Sequence, residues 1–229
     1  MFTLGPGLRS GVISDPSFNQ VQLLLHGDGA NNSTTFTDSS SAARTMTGAA
    51  SAKISTAQSV FGGASMDFSA AGDEARISSA AAAGLSASGD FCLEFRLRMT
   101  STAAGIYFLI ADGNNADLYL YTTSSGKIGG YLLGNSRTDL ATISANTWYA
   151  VCVDRSGSTV KFFVDGAVVD TSTSSTSMGT SAQWFIGANP AFSGANTGGR
   201  CFIDELRLTI GASRHQAAYT VDTLAFPDS

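Results

Sequence analysis

The chain has 229 residues, 43% of them hydrophobic, enough to bury a sizeable core, and all-β chains of this length ordinarily fold as one domain. Charged residues make up only 14%, the formal net charge is −5, and the 13 basic residues are scattered, which argues against a nucleic-acid partner because phosphate binding rests on clustered Lys and Arg. No apolar run approaches the ~20 residues that span a bilayer, and the opening MFTLGPGLRSGVISD lacks the basic-then-apolar plan of a signal peptide. The expectation is a chain made in a cytoplasm, without membrane insertion.

Residues 1–20 carry Gly5, Pro6, Gly7, Gly11 and Pro16 without sustained periodicity, and are expected to form an arm that docks on a neighbouring subunit. From Val21 onward the pattern is strand, turn, strand. Val21 to Leu25 are apolar, and His26-Gly27-Asp28-Gly29 supplies turn residues. Further strands are predicted at 64–68, 73–78, 105–111, 117–122, 127–133, 147–154, 159–164, 167–171, 182–187 and 200–209. The clearest is FCLEFRLRM at 91–99, where Phe91, Leu93, Phe95, Leu97 and Met99 alternate with Cys92, Glu94, Arg96 and Arg98. That two-residue period predicts a half-buried strand with a solvated ladder of charge on its outer face. Ser79 to Leu85 is Ala-rich but interrupted by Gly84, so at most a turn of helix is expected there. Asp165-Gly166 between two apolar runs is a type I′ hairpin signal. Trp148 and Trp184 sit in apolar strands and are assigned to the core. Many short strands at close spacing predict an all-β, two-sheet antiparallel sandwich of the jelly-roll kind, with residues 213–229 as a C-terminal strap.

Cys92, Cys152 and Cys201 are odd in number and lack metal-type spacing, so buried free thiols are favoured over a disulfide.

Five strings, in order along most of the chain, resemble the laminin-G-like jelly rolls of the concanavalin A-like superfamily. They are DPSFNQVQLLLHGDGANNSTTFTDSS, ISTAQSVFGGASMDF, GDFCLEFRLRM, TWYAVCVDRSGSTVKFFVDGAVV and RCFIDELRLTIGASRH. The apolar-apolar-His-Gly-Asp start and the second string look like domains of tailed-bacteriophage proteins. The resemblance implies a virion structural module, as head decoration or as a tail or fibre component. Its expected partners are other virion proteins and itself, as a homo-oligomer. The alternative is a carbohydrate-binding, lectin-type adhesin recognising host-surface glycans, because one fold hosts many functions.

Catalysis is not expected. Glycosidases of this fold carry Glu-x-Asp-x-x-Glu on one strand, and no such string occurs among Glu74, Glu94 and Glu205, the only glutamates. His26 and His215, the only histidines, lack GxSxG or Cys-His companions, and His26 is assigned a structural hydrogen bond.

For metal, strict alternation along RCFIDELRL puts Asp204 with Phe202, Leu206 and Leu208, opposite Cys201, Ile203, Glu205 and Arg207. A carboxylate facing a core needs a partner. The resemblance implies a structural Ca²⁺ held by Asp204 with the Leu25–Asp28 region, Asp28 included, and the loop at Gly62-Gly63. The other reading is that Asp204 accepts backbone N–H bonds, or caps the loop near Phe61.

For sugar, Tyr119 and Tyr121 share a face with Asp117, and Tyr131 with Lys127. The three rings form a stacking platform if the strands register so; otherwise they pack under a loop or face a subunit. Asp112, Asn114, Asn115 and Asn189 are candidate polar contacts from loops.

Overall fold

The computed structural model describes residues 14–70, 72–77, 84–111, 117–124, 126–178, 184–187 and 199–229. Asp112, Asn114, Asn115, Asn189, most of the 79–85 segment and most of the N-terminal arm lie outside them. In chain order the strands are β1 (Val21–Leu25), β2 (Thr47–Ala49), β3 (Lys53–Ser55), β4 (Ser65–Phe68) and β5 (Glu74–Ile77). Then come β6 (Phe91–Met99), β7 (Tyr107–Ala111), β8 (Leu118–Thr122), β9 (Lys127–Leu132) and β10 (Asn135–Thr142). The last are β11 (Trp148–Ser156), β12 (Thr159–Val164), β13 (Ala167–Thr173), β14 (Trp184–Ile186) and β15 (Cys201–Ile210).

They form two antiparallel sheets. Sheet A runs β13-β12-β11-β6-β15-β4-β3, and sheet B runs β10-β9-β8-β7-β14-β5-β2. Strand β15 shares one edge between two partners: Cys201–Ile203 pair with β4, and Leu206–Thr209 pair with β1. Between the sheets lies one continuous core that takes Phe91, Leu93, Phe95 and Leu97 from sheet A and Phe108, Leu118, Leu120 and Trp184 from sheet B. Period-2 alternation turns alternate side chains of the strands toward this core, so the architecture is the expected all-β sandwich. The hairpin joining β12 and β13 has Asp165 at φ 49° and Gly166 at φ 77°, the two left-handed positions a type I′ turn requires.

Four features differ from the sequence-based expectation. The polar strand β10 pairs with β9 as an edge of sheet B, and the short strands β2 and β3 fill the 47–55 segment. Trp148, at the start of β11, is half-buried rather than core, whereas Trp184 is fully buried.

The third difference concerns β6, which is buried on both faces: Glu94 is 4% exposed and Arg96 8%. The strap at 213–229 lies over the outer face of sheet A and replaces water there. Arg207 donates through Nε and Nη2 to Glu94 Oε2 (3.1 and 2.8 Å), and its Nη1 reaches Asp15 Oδ2 (3.2 Å). Arg214 of the strap clasps the same Asp15 at 3.1 and 2.7 Å. His215 Nε2 meets Glu94 Oε1 at 2.6 Å, and Arg96 donates to the Asp222 carbonyl at 2.7 Å. Phe226 lies under the Arg207 guanidinium, 3.8 Å from carbon to ring centre. The Asp15 N–H donates to the Ser229 carbonyl at 2.7 Å. These pairs hold Glu94 ionised: burial opposes its charge, but His215 and Arg207 outweigh that and lower its pKa to about 2.

The fourth difference is the parity of β15. A register shift between Asp204 and Arg207, with Glu205 at φ 50°, inserts a bulge. Cys201, Ile203, Leu206 and Leu208 therefore face the core. Phe202 lies on the outer face beneath Arg98, and Asp204 pairs with outward-facing Arg96. Asp204 thus points away from the core, not into it.

Candidate functional site

The outer face of sheet B carries an aromatic ladder. Register places Tyr119 of β8 opposite Tyr131 of β9, and Tyr107 of β7 opposite Tyr121. Leu118, Leu120 and Ile128 of the same strands point inward, so alternation turns all four tyrosines outward, where each is half-buried. The Tyr119 and Tyr131 rings are nearly parallel, 5.6 Å apart with planes 9° from one another. Tyr107 lies 5.8 Å from Tyr119 and 5.4 Å from Tyr121. Crowding of the rings, burial first and then the neighbouring phenols, raises the Tyr107 and Tyr119 pKa values. Gly129, opposite Tyr121, is required by close approach: a Cβ there would stand 3.0 Å from Tyr121 Cζ and 2.8 Å from Thr123 Cγ2. The three tyrosines singled out in the sequence are thus brought together, and Tyr107, which that reading missed, completes the set.

At one end of the ladder opens a cleft of about 330 Å³ between Tyr121, Thr123, Ser124, Thr138 and Asp139. This volume is at the small end of the range for sites that enclose small ligands. Lys127 pairs with Asp139 at 3.4 Å, so a carboxylate, an ammonium and hydroxyls flank the aromatic surface. Rings set beside donors and acceptors suit a ligand with apolar C–H faces and a hydroxyl rim. A larger cleft, about 540 Å³, lies behind, between residues 14–17 and the strap. Of its charged lining, Asp15, Arg207 and Arg214 are already committed to internal ion pairs, so the tyrosine face is the better candidate.

The second constellation surrounds the β15 bulge. Asp204 Oδ2 accepts the Val60 and Phe61 N–H groups at 2.6 and 3.1 Å, which caps the 58–63 loop. Its Oδ1 is buried with no hydrogen-bond partner among the described residues. Burial, relieved in part by those two N–H bonds and reinforced by the charges of Glu205 and Asp28, raises Asp204 to about 7. The Asp28 carboxylate packs so closely on Gly62 that a Cβ there would lie 1.8 Å from Oδ1; its pKa is raised by burial and then by Glu205. His26 bridges Glu205 (Nδ1 to Oε1, 2.9 Å) and Asp228 (Nε2 to Oδ1, 2.8 Å), and Glu205 Oε2 accepts the Phe226 N–H at 2.8 Å. His26 therefore fastens the strap to the bulge. An orphaned carboxylate oxygen among like charges is a donor set that fits a hard divalent cation.

Residues 69–212 match the family model of the concanavalin A-like lectin/glucanases superfamily, Laminin_G_3, and the chain belongs to that family. No curated protein sequence matches it. Among solved structures it is similar to domain 4 of AbnA, a GH43 extracellular arabinanase from Geobacillus stearothermophilus, in complex with arabinotriose. That match has a TM-score of 0.62 at 14% identity and covers 87% of this chain and 96% of that one. A mutant of Trypanosoma rangeli sialidase displaying trans-sialidase activity gives 0.60 at 15% identity, over 90% of this chain and 32% of the other. The binding domain of botulinum neurotoxin DC in complex with rat synaptotagmin II gives 0.60 at 11%, over 90% and 50%. This chain therefore spans about a third of the sialidase and half of the toxin chain. At these identities the likeness establishes the fold.

Proposed function

We propose that this protein is a carbohydrate-binding module whose ligand lies on Tyr107, Tyr119, Tyr121 and Tyr131, with the Thr138-Asp139 cleft receiving one end of it. The observation that carries this reading is the four-tyrosine ladder, whose rings gather half-exposed on the outer face of sheet B in a molecule whose other sheet is covered by its own strap. The structurally similar arabinanase domain was solved with arabinotriose, which supports a sugar ligand for this class of sandwich. Binding rather than hydrolysis is supported by the state of the three glutamates: Glu74 pairs with Arg76, Glu94 with Arg207 and His215, and Glu205 with His26. Groups so engaged are poorly placed for proton transfer to a substrate.

A glycan array followed by titration calorimetry tests the proposal. Each of Tyr119→Ala, Tyr121→Ala and Tyr131→Ala is expected to weaken binding about tenfold, or ~1.4 kcal/mol. No ligand at millimolar concentration, or full affinity in the triple variant, overturns it.

Display on a bacteriophage particle is the setting that the sequence resemblance supports, with the strap-covered side toward the particle. Detection of the chain in purified virions, as head or tail component, is the corresponding test. Asp204 and Asp28 would hold a structural Ca²⁺, which would supply charge neutralisation at the bulge and tie the 58–63 loop to β15.

A further inference from the structure

On the outer face of sheet A, cross-strand register places Cys92 opposite Asp154, and Cys152 opposite Glu94, so both thiols and the Glu94 carboxylate project to the same side. The two sulfurs are 3.5 Å apart. His215 descends from the strap with Nε2 2.6 Å from Glu94 Oε1. Its ring is fixed by stacking on Tyr219 at 3.6 Å, with planes 11° apart, and by the edge of Phe163 at 6.1 Å. Taken together, one ligand atom from each of Cys92, Cys152, Glu94 and His215 lies within 4.8 Å of all the others. We propose that these four residues form a zinc site that staples the C-terminal strap to strands β6 and β11.

The geometry and the charge both favour this occupant. A tetrahedral ion with Zn–S near 2.3 Å and Zn–N or Zn–O near 2.0–2.1 Å sets its ligand atoms about 3.3–3.8 Å apart. The sulfur–sulfur separation already matches, and the His215–Glu94 contact opens by under ~1 Å when the ion takes the place of their shared hydrogen. Arg207 uses Oε2 of Glu94, so Oε1 remains for the ion without loss of the buried ion pair. On binding, both thiols release their protons to solvent, and the hydrogen shared by His215 Nε2 and Glu94 leaves as well, so that His215 coordinates as neutral imidazole through Nε2. Two thiolates, the Glu94 carboxylate, a dication and the Arg207 guanidinium then sum to zero charge, while the neighbouring Asp154 carboxylate is solvated separately by the Ser213 hydroxyl, the Arg214 N–H and the Gln216 amide. Without an ion, burial drives the Cys92 and Cys152 thiols upward, Cys152 to about 11, so they stay protonated and inert. Thiolate and imidazole ligands select zinc over calcium or magnesium, so this site is chemically separate from the Asp204 carboxylates.

The test is to refold the full reduced chain with Co²⁺ alone and record its absorption, with Zn²⁺ as competitor. The expected result is a single cobalt per chain, showing thiolate-to-cobalt charge transfer and intense tetrahedral d–d bands that zinc abolishes. Cys201→Ser should retain these bands, since that thiol lies in the core. Cys92→Ser with Cys152→Ser should lose them. Should that variant misfold, His215→Gln on the partly exposed strap weakens cobalt binding at least ~100-fold, more than loss of a supporting contact would. Zinc should also slow tryptic cleavage after Arg214 in the wild type but not in His215→Gln. A wild-type chain without thiolate–cobalt bands, bands that survive in the double serine variant, or recovery of Cys92 and Cys152 as a disulfide from reduced protein would overturn the proposal.

Discussion

Removal of the Arg207 guanidinium is the sharpest test of how the strap is held. Arg207 is 5% exposed and lies between Glu94, Asp15 and the Phe226 ring. Breaking a buried pair by deleting one partner strands a charge and costs about 3–5 kcal/mol. Here Glu94 keeps His215 and Asp15 keeps Arg214, so the low end applies: Arg207→Met should cost about 3 kcal/mol in metal-free buffer, or ~6–12 °C for a chain of this size. Replacing both charges, Arg207→Leu with Glu94→Leu, removes the stranded anion and should bring stability back to within about 1 kcal/mol of wild type. Chemical denaturation with far-UV circular dichroism measures both. A cost below ~1 kcal/mol for Arg207→Met, the worth of an exposed ion pair, would refute the claim that the strap seals this face from water.

Other predictions follow from the same contacts. His26 is raised from 6.5 to about 9, chiefly by Glu205, so its contribution is complete below pH 6.5 and disappears as pH climbs through 9. The full shift corresponds to ~3 kcal/mol, and to about 1–2 once the exposed Asp228 side is discounted; urea melts at pH 6 and pH 9.5 should differ by that amount and His26→Gln should flatten the slope. Asp204 behaves oppositely: with its folded pKa raised to about 7, ionising it in the absence of cations destabilises the protein as pH rises from 3.8 to 7. Asp204→Asn should therefore raise ion-free stability at pH 8 by about 1–3 kcal/mol while erasing any increase in melting temperature on adding Ca²⁺. Gly166→Ala places a Cβ 2.0 Å from the Tyr219 carbonyl oxygen at a φ of 77°, and should release the strap to limited proteolysis at a cost of at least ~1 kcal/mol.

The alternation in FCLEFRLRM and the Asp-Gly hairpin made the sandwich legible, because both signals are local. The covering of β6 was not, since the groups that bury Glu94 come from a strap 121 residues away in sequence. Strand β10 escaped notice because NSRTDLAT, an edge strand, has only Leu140 fully inward and so lacks a repeating apolar period. The side assigned to Asp204 failed for a different reason: strict two-residue parity assumes an unbroken ladder, and a bulge at Glu205 reverses it. Parity did put Tyr119 and Tyr121 on one face. Their alignment with Tyr131 and Tyr107 depends on inter-strand register, which sequence parity leaves open.

The meeting of Asp15 with Ser229 has an architectural consequence. Whatever polypeptide is joined before the one or after the other must depart from a common point on the back of the sandwich, on the side away from the tyrosines. Fused, tandem or subunit-anchored copies tethered there would carry their aromatic surface on the far side of the two sheets from the tether, and a carrier inserted there would leave the tyrosine side unobstructed.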